Sequence, residues 1–391
     1  MRSLTIRLTE MAKDMAASFK ISGRAIGAGH PSYIVAELSG NHNQSLARAT
    51  RIVEAACQAG VDAIKLQTYT ADTLTIDCDN KWFRVKGTNR EWQGQTLYQL
   101  YEKAYTPWPW HPKLQRIAAK YGVALFSSAF DESAVDFLEG LRVPAYKVAS
   151  FEIVDLELLR RIGATRKPVI LSRGMASLEE VRLAIRTLSA AGARDIAVLH
   201  CVSSYPARPE EMNLSTIPAL RRKLGRVVGL SDHTLGSEVA IAGVALGASI
   251  IEKHVTLSRR MGGVDAAFSL EPAELRQMVR AIRTAESAVG SPQFQAEGRQ
   301  LSNRVFRRSL FVVKDVARGE LFTPINLRVI RPGFGLAPQA LPLILGRRAS
   351  RPIKRGTPLA PGHVEGRHKA PRLQPGLRRE GRRPPHGDTS P

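Results

Sequence analysis

Two histidines close strand-like runs, His200 in VLHC and His233 in GLSDHT. Glu37 ends IVAE, Lys65 and Lys147 lie within DAIKLQTY and AYKVAS, and Ser128, Ser150 and Ser172 stand at or beside the ends of similar runs. Two imidazoles with otherwise oxygen donors suit a divalent cation that keeps open positions for water and substrate. Such a donor set favours Mn2+, with Mg2+, Co2+ or Fe2+ as alternatives. His254 in IIEKHVTL is a third, weaker candidate, and Asp232 is expected to orient its neighbour His233 rather than bind the ion itself. The lysines need partners, because an unpaired ammonium inside an apolar run is costly. Glu37 could pair with one of them. The alternative is a phosphate or carboxylate from a substrate, and the three nearby hydroxyls favour it, since they match the acceptor oxygens of such an anion. Beside a metal, Glu37 is expected to position or deprotonate a water.

Residues at the ends of many separate runs act together only if the fold gathers those ends. Short runs rich in Val, Ile and Ala predict strands over 33–38, 62–67, 123–127, 145–149, 169–172, 197–201, 227–231 and 250–255, with helical patterns between them. Eight strands with a helix after each is the count of a (β/α)8 barrel, whose chemistry is assembled at the C-terminal ends of its strands. Ahead of it, FKISGRAIGAGHP reads as a hairpin closing the opposite end. The connection from Thr68 to Pro109 is far longer than a barrel needs and reads as a lid over the substrate. It and its border hold all four tryptophans, Trp82, Trp92, Trp108 and Trp110; packing of the insertion onto the barrel is the competing role, above all for the last two. After the helix that ends near GSPQF, runs cut by Gly and Pro predict a small irregular β domain. The expected organisation is an extra segment 1–18, the barrel with its hairpin 19–290, a linker 291–304, the β-rich domain 305–364 and a disordered basic tail 365–391.

The chain has 391 residues and a net charge of +22. Of that excess, +2 lies in the first twenty residues and +5 in the last twenty-six. No RNA-recognition signature, zinc finger or aromatic-interleaved basic helix accompanies it, so a nucleic-acid partner is not expected and the remaining charge suits a small anionic substrate. Cys57, Cys78 and Cys201 form neither a disulfide framework nor a paired metal spacing. With no signal-peptide pattern and no apolar run of about 20 residues, a cytoplasmic protein with no membrane partner is expected.

The strings AELSGNHNQSL, DAIKLQTYTADT, TPWPWH, YKVASFE, LSRGM, LHCVSSYP, GLSDHT and GASIIEKHVTL together resemble the sialic acid (N-acetylneuraminate) synthase family over roughly residues 19 to 360. Its members are TIM barrels with a small C-terminal antifreeze-like, or SAF, domain. The insertion, GGVDAAFSLEP and RVFRRSLFVVKDVARGE look most like the pseudaminic acid branch. The resemblance implies a metal-dependent transferase that condenses phosphoenolpyruvate with an acetamido sugar and releases phosphate. For this branch the sugar is 2,4-diacetamido-2,4,6-trideoxy-L-altrose; the alternatives are the neuraminate and legionaminate reactions and, more remotely, a non-catalytic carbohydrate-binding protein. Carried over by position, Lys65, Ser128, Lys147, Ser150 and Ser172 would hold phosphoenolpyruvate, and His200 and His233 the metal. Glu37, Lys65 and Arg308 would be catalytic, the arginine reaching the sugar site of the other subunit in a domain-swapped homodimer, with Arg307 as its substitute. Arg173 and Ala129 stand where threonine and proline are usual in the family.

Overall fold

The computed structural model describes residues 18–86 and 92–366 and divides into two compact units that meet at Gly290 and Ser291. The expected N-terminal segment lies almost wholly outside the described residues, as does nearly all of the basic tail. In the first unit an antiparallel hairpin of β1 (Ser18–Ile21) and β2 (Arg24–Gly27) precedes eight parallel strands. These are β3 (Tyr33–Glu37), β4 (Ala63–Thr68), β5 (Ala124–Ala129), β6 (Tyr146–Val148), β7 (Val169–Ser172), β8 (Ile196–Cys201), β9 (Val227–Asp232) and β10 (Ile250–His254). They pair in sequence order, and β10 closes on β3 with Ile250 beside Tyr33 and His254 beside Glu37. The (β/α)8 barrel read from the apolar runs is the fold.

Alternation sets what each strand residue faces. On β3, Tyr33 and Val35 cluster with Ala63, Phe126, Val227 and Ile250 of other strands. Ile34 and Ala36 join the outer layer, against Ile52, Val53 and Ala56 of the first barrel helix, Leu46–Ala59. That helix forms because its apolar residues recur three or four positions apart, its N-cap Ser45 accepts from the Arg48 amide, and Gly60 ends it in the left-handed region. Phe19, Ile21 and Ile26 of the hairpin pack with residues that begin the strands, which plugs the end opposite the strand termini.

The four tryptophans divide their roles. Trp108 donates to the Tyr69 carbonyl and packs on Phe137, and Trp110 meets His42 edge-on, so both pack the insertion down. Trp92 instead donates to the Val264 carbonyl and lies against Tyr205 at the barrel mouth. Trp82 is 76% exposed.

The second unit pairs β11 (Ser309–Val312) with β12 (Leu327–Ile330) around a separate core of Leu310, Val312, Phe322, Leu336, Ile353 and Leu359. Gly335 is required there, since a Cβ would stand 2.1 Å from the Leu310 carbonyl oxygen.

Candidate active site

Four charged residues meet inside the barrel. Lys65 Nζ lies 2.6 Å from Glu37 Oε2 and 3.6 Å from Glu252 Oε1, and Lys147 Nζ lies 3.8 Å from that same Glu252 oxygen. Strands β4, β6 and β10 are not neighbours, so the two contacts of Glu252 cross the interior, whereas Glu37 and Lys65 are register partners on adjacent strands. Glu252 also accepts from Ser231, and Lys65 donates to Ser128 at 3.3 Å. Burial opposes the charge of Lys65, but the Glu252 and Glu37 carboxylates outweigh it and hold the pKa above the usual ammonium range. At Lys147 burial prevails and the pKa is lowered. The protein bond of Lys147 goes to the Val148 carbonyl, at 3.2 Å, and an ammonium has three protons to give. A group of hydroxyls stands at the ends of this strand and the next two. Ser150 and Ser203 lie 2.9 Å apart, and the Ser172 hydroxyl is buried beside the Cys201 thiol. Gly174, at φ +49°, lets the turn after β7 approach them, since a Cβ would stand 2.4 Å from that of Ser150. Lysine ammonium groups and serine hydroxyls are the donor types that bind an anion, and of the two lysines it is Lys147 that keeps donors to spare.

The structure turns His200 and His233, the expected metal pair, to different faces of the barrel. His200 is the register partner of Leu230, an outer-layer residue, whereas Cys201 pairs with Ser231 on the inner face. His200 therefore points away from the interior. Arg173 Nε donates to its Nδ1, so the proton is on Nε2, which donates to the Met212 carbonyl. Both nitrogens are occupied in tying the loop after β8 to the turn after β7. The residue that joins His233 is His254, with ring centroids 5.4 Å apart, edge to face. His233 Nδ1 donates to the Val202 carbonyl at 2.8 Å, which leaves Nε2 as the bare nitrogen, 3.4 Å from the Ser231 hydroxyl. His254 Nδ1 is buried without a hydrogen bond and lies 3.5 Å from Asp265 Oδ2. Burial lowers the pKa of both rings, to about 4 for His233, so both are neutral at neutral pH. Neutral imidazoles with uncommitted nitrogens, one held in its tautomer by a carbonyl, fit a divalent cation. No cluster of three or more His, Cys, Asp or Glu side chains with metal-holding geometry occurs among the described residues, so water and substrate would complete the sphere.

Glu37 faces the interior as expected, with Oε1 accepting from the Ser39 amide and from Gln67 Nε2. Arg308 and Arg307 are exposed in the second unit, next to β11. Sequence reasoning missed Glu252, whose signal was its two-residue offset from His254 in IIEKH, and Asp265, which Ser39 bonds. It also missed Glu152, two residues after Ser150, whose Oε2 is buried without a hydrogen-bond partner among the described residues.

Burial raises the Glu152 pKa to about 7 despite Lys147 and Lys65. The unfolded chain ionises first as pH rises from about 4.5, so this carboxyl lowers stability progressively up to about pH 7. Relative to the parent, Glu152→Gln is expected to gain on the order of 2 kcal/mol across that window and no more above it. Urea midpoints near pH 5 and pH 7.5 check this; equal gains at both would show a solvated carboxyl.

The NeuB family model matches residues 52–294, more than half of the chain, and the SAF domain model matches 307–365. The chain belongs to the NeuB family. Pseudaminic acid synthase of Helicobacter pylori is 42% identical, covering 86% of this chain and 98% of its own length. N,N'-diacetyllegionaminic acid synthase of Legionella pneumophila is 34% identical over 90% of this chain and all of its own. A crystal structure of N-acetylneuraminic acid synthetase from Leptospira borgpetersenii, in complex with citrate, superposes with a TM-score of 0.65 at 30% identity, covering 74% of this chain and 95% of that one. Among the described residues no helix is long and apolar enough to cross a membrane.

Proposed function

We propose that this chain is a pseudaminic acid synthase, a transferase that condenses phosphoenolpyruvate with 2,4-diacetamido-2,4,6-trideoxy-L-altrose to give the nonulosonic acid and phosphate. The observation that carries the chemistry is the anion site of Lys147, Lys65 and the serine hydroxyls beside two bare imidazole nitrogens. The branch rests on the 42% identity to pseudaminic acid synthases. Lys147 and Lys65 bind the phosphate and carboxylate of phosphoenolpyruvate, with Ser128, Ser150 and Ser172 fixing its orientation. His233 and His254, with oxygen donors from water and substrate, would hold a divalent cation, taken here as Mn2+, which supplies Lewis-acid polarisation of the sugar aldehyde. C3 of phosphoenolpyruvate forms the new carbon–carbon bond to the aldehyde carbon, water adds at C2, and the C2–oxygen bond to phosphate then breaks. Glu37, held by the Ser39 amide and Gln67, takes the proton of the water.

Phosphate release from phosphoenolpyruvate should require the altrose-derived sugar and a divalent cation, and should stop with chelator. Preference for N-acetylmannosamine or a diacetamido-mannose analogue would move the chain to the neuraminate or legionaminate reaction. Sugar binding without turnover in any metal condition would leave a carbohydrate-binding protein.

The functional unit we propose is a domain-swapped, cytoplasmic homodimer in which Arg308 completes the partner's sugar site. An Arg308→Ala chain mixed with a Lys147→Ala chain should then regain activity on subunit exchange, because one site of the heterodimer carries both residues. No recovery after verified exchange would refute the swap.

A further inference from the structure

The apolar outer layer of β9 and β10, with Val228, Leu230 and Ile251, ends in an ion pair. Lys253 and Asp232 are register partners, both side chains are fully buried, and Nζ lies 2.7 Å from Oδ2. Asp232 Oδ1 accepts from the amide and hydroxyl of Thr234, at 2.9 and 2.7 Å, and Lys253 Nζ donates to the Thr234 carbonyl at 2.5 Å. The residues on either side of His233 are thus both tied to the residue that precedes His254. A buried ion pair is seldom a source of stability, since apolar groups of similar volume serve as well or better, and its usual worth is the fixed geometry it imposes.

We propose that the Asp232–Lys253 pair is a clamp on the outer face of the barrel that sets the distance between His233 and His254, and thereby the cation affinity of the inner face. Neither residue touches the cation; both are positioning residues. This rests on the reading of His233 and His254 as ligands. The alternation of strands makes the clamp possible: a bond between 232 and 253 fixes 233 and 254 from behind, without occupying the mouth.

The test is Mn2+ binding to chelator-stripped full-length protein, read from the paramagnetic resonance signal of free Mn2+. Asp232→Leu/Lys253→Met removes both charges and keeps the volume. It should melt within a few degrees of the parent and bind Mn2+ about 10- to 100-fold more weakly, the range for losing outer partners of metal ligands. Phosphoenolpyruvate affinity of the metal-free protein should change less than about twofold, since the lysines and serines of the anion site stand on other strands. Merely structural damage would weaken both ligands together. Thr234→Val, which deletes a single hydroxyl, should weaken Mn2+ about threefold and decides the matter if the double variant does not fold. Parental Mn2+ affinity in a folded double variant, or in Thr234→Val where that variant must decide, overturns the clamp. If His254→Ala leaves Mn2+ binding intact, the ligand reading falls and the clamp with it; if His254→Ala abolishes binding while the clamp variants do not weaken it, only the clamp falls.

Discussion

Lys147→Met is expected to lower kcat/KM for phosphoenolpyruvate about 10^3-fold, roughly 4 kcal/mol of transition-state stabilisation, while the protein melts no lower than the parent. The two halves of this result have one cause. Lys147 is buried with its nearest carboxylate at 3.8 Å, and burial lowers its pKa. The folded protein holds a poorly compensated ammonium, which a methionine of similar shape would relieve. Glu252 keeps Lys65, at 3.6 Å, as a counter-ion in the variant. Under the proposed function that ammonium serves an anion arriving from solvent, and stability given up for function is the pattern of a binding site. Steady-state kinetics and a thermal melt on the same preparation check it. Near-parental activity would place the phosphoenolpyruvate site elsewhere.

Histidine replacements should separate two residues that look alike in the sequence. His254→Ala is expected to cost about 10^3-fold in metal-dependent turnover and at least 10^2-fold in Mn2+ affinity, because under the proposed function it removes one of two converging ligands. His200→Ala should leave Mn2+ affinity within about twofold and lower stability by about 1–2 kcal/mol, because Arg173 and the Met212 carbonyl each lose a partner. Calorimetric Mn2+ titration and urea unfolding measure both. A large loss of Mn2+ affinity in His200→Ala would show that the ring leaves its two hydrogen bonds to bind metal, and the pairing of His233 with His254 would fail.

Much of this molecule is legible in one dimension. Eight apolar runs separated by helical patterns fix a barrel, because a parallel strand must be followed by a crossover that buries its outer face. Once the barrel is given, Glu37, Lys65, Lys147 and the serines are gathered toward one rim, since they stand on or just after strands whose ends share it. A buried lysine also announces an anion, because its charge cannot stand alone in an apolar run.

Which histidines meet was not decided there. His200 and His233 end their runs in similar fashion, and their difference is parity: one residue along a strand exchanges the inside of the barrel for the outside. Parity follows from register, and register is set by packing around the whole barrel. It turns His200 to Arg173 and Met212, and brings His254 and Glu252 inward together. The ion pair of Asp232 and Lys253 is equally invisible in sequence, because the two residues lie on separate strands and become neighbours only when β9 and β10 align. The sequence by itself determined the fold and the chemical types gathered at its mouth. The tertiary structure alone decided which side chains face one another, since a strand offers alternate residues to opposite faces and only closure of the barrel settles which face each receives.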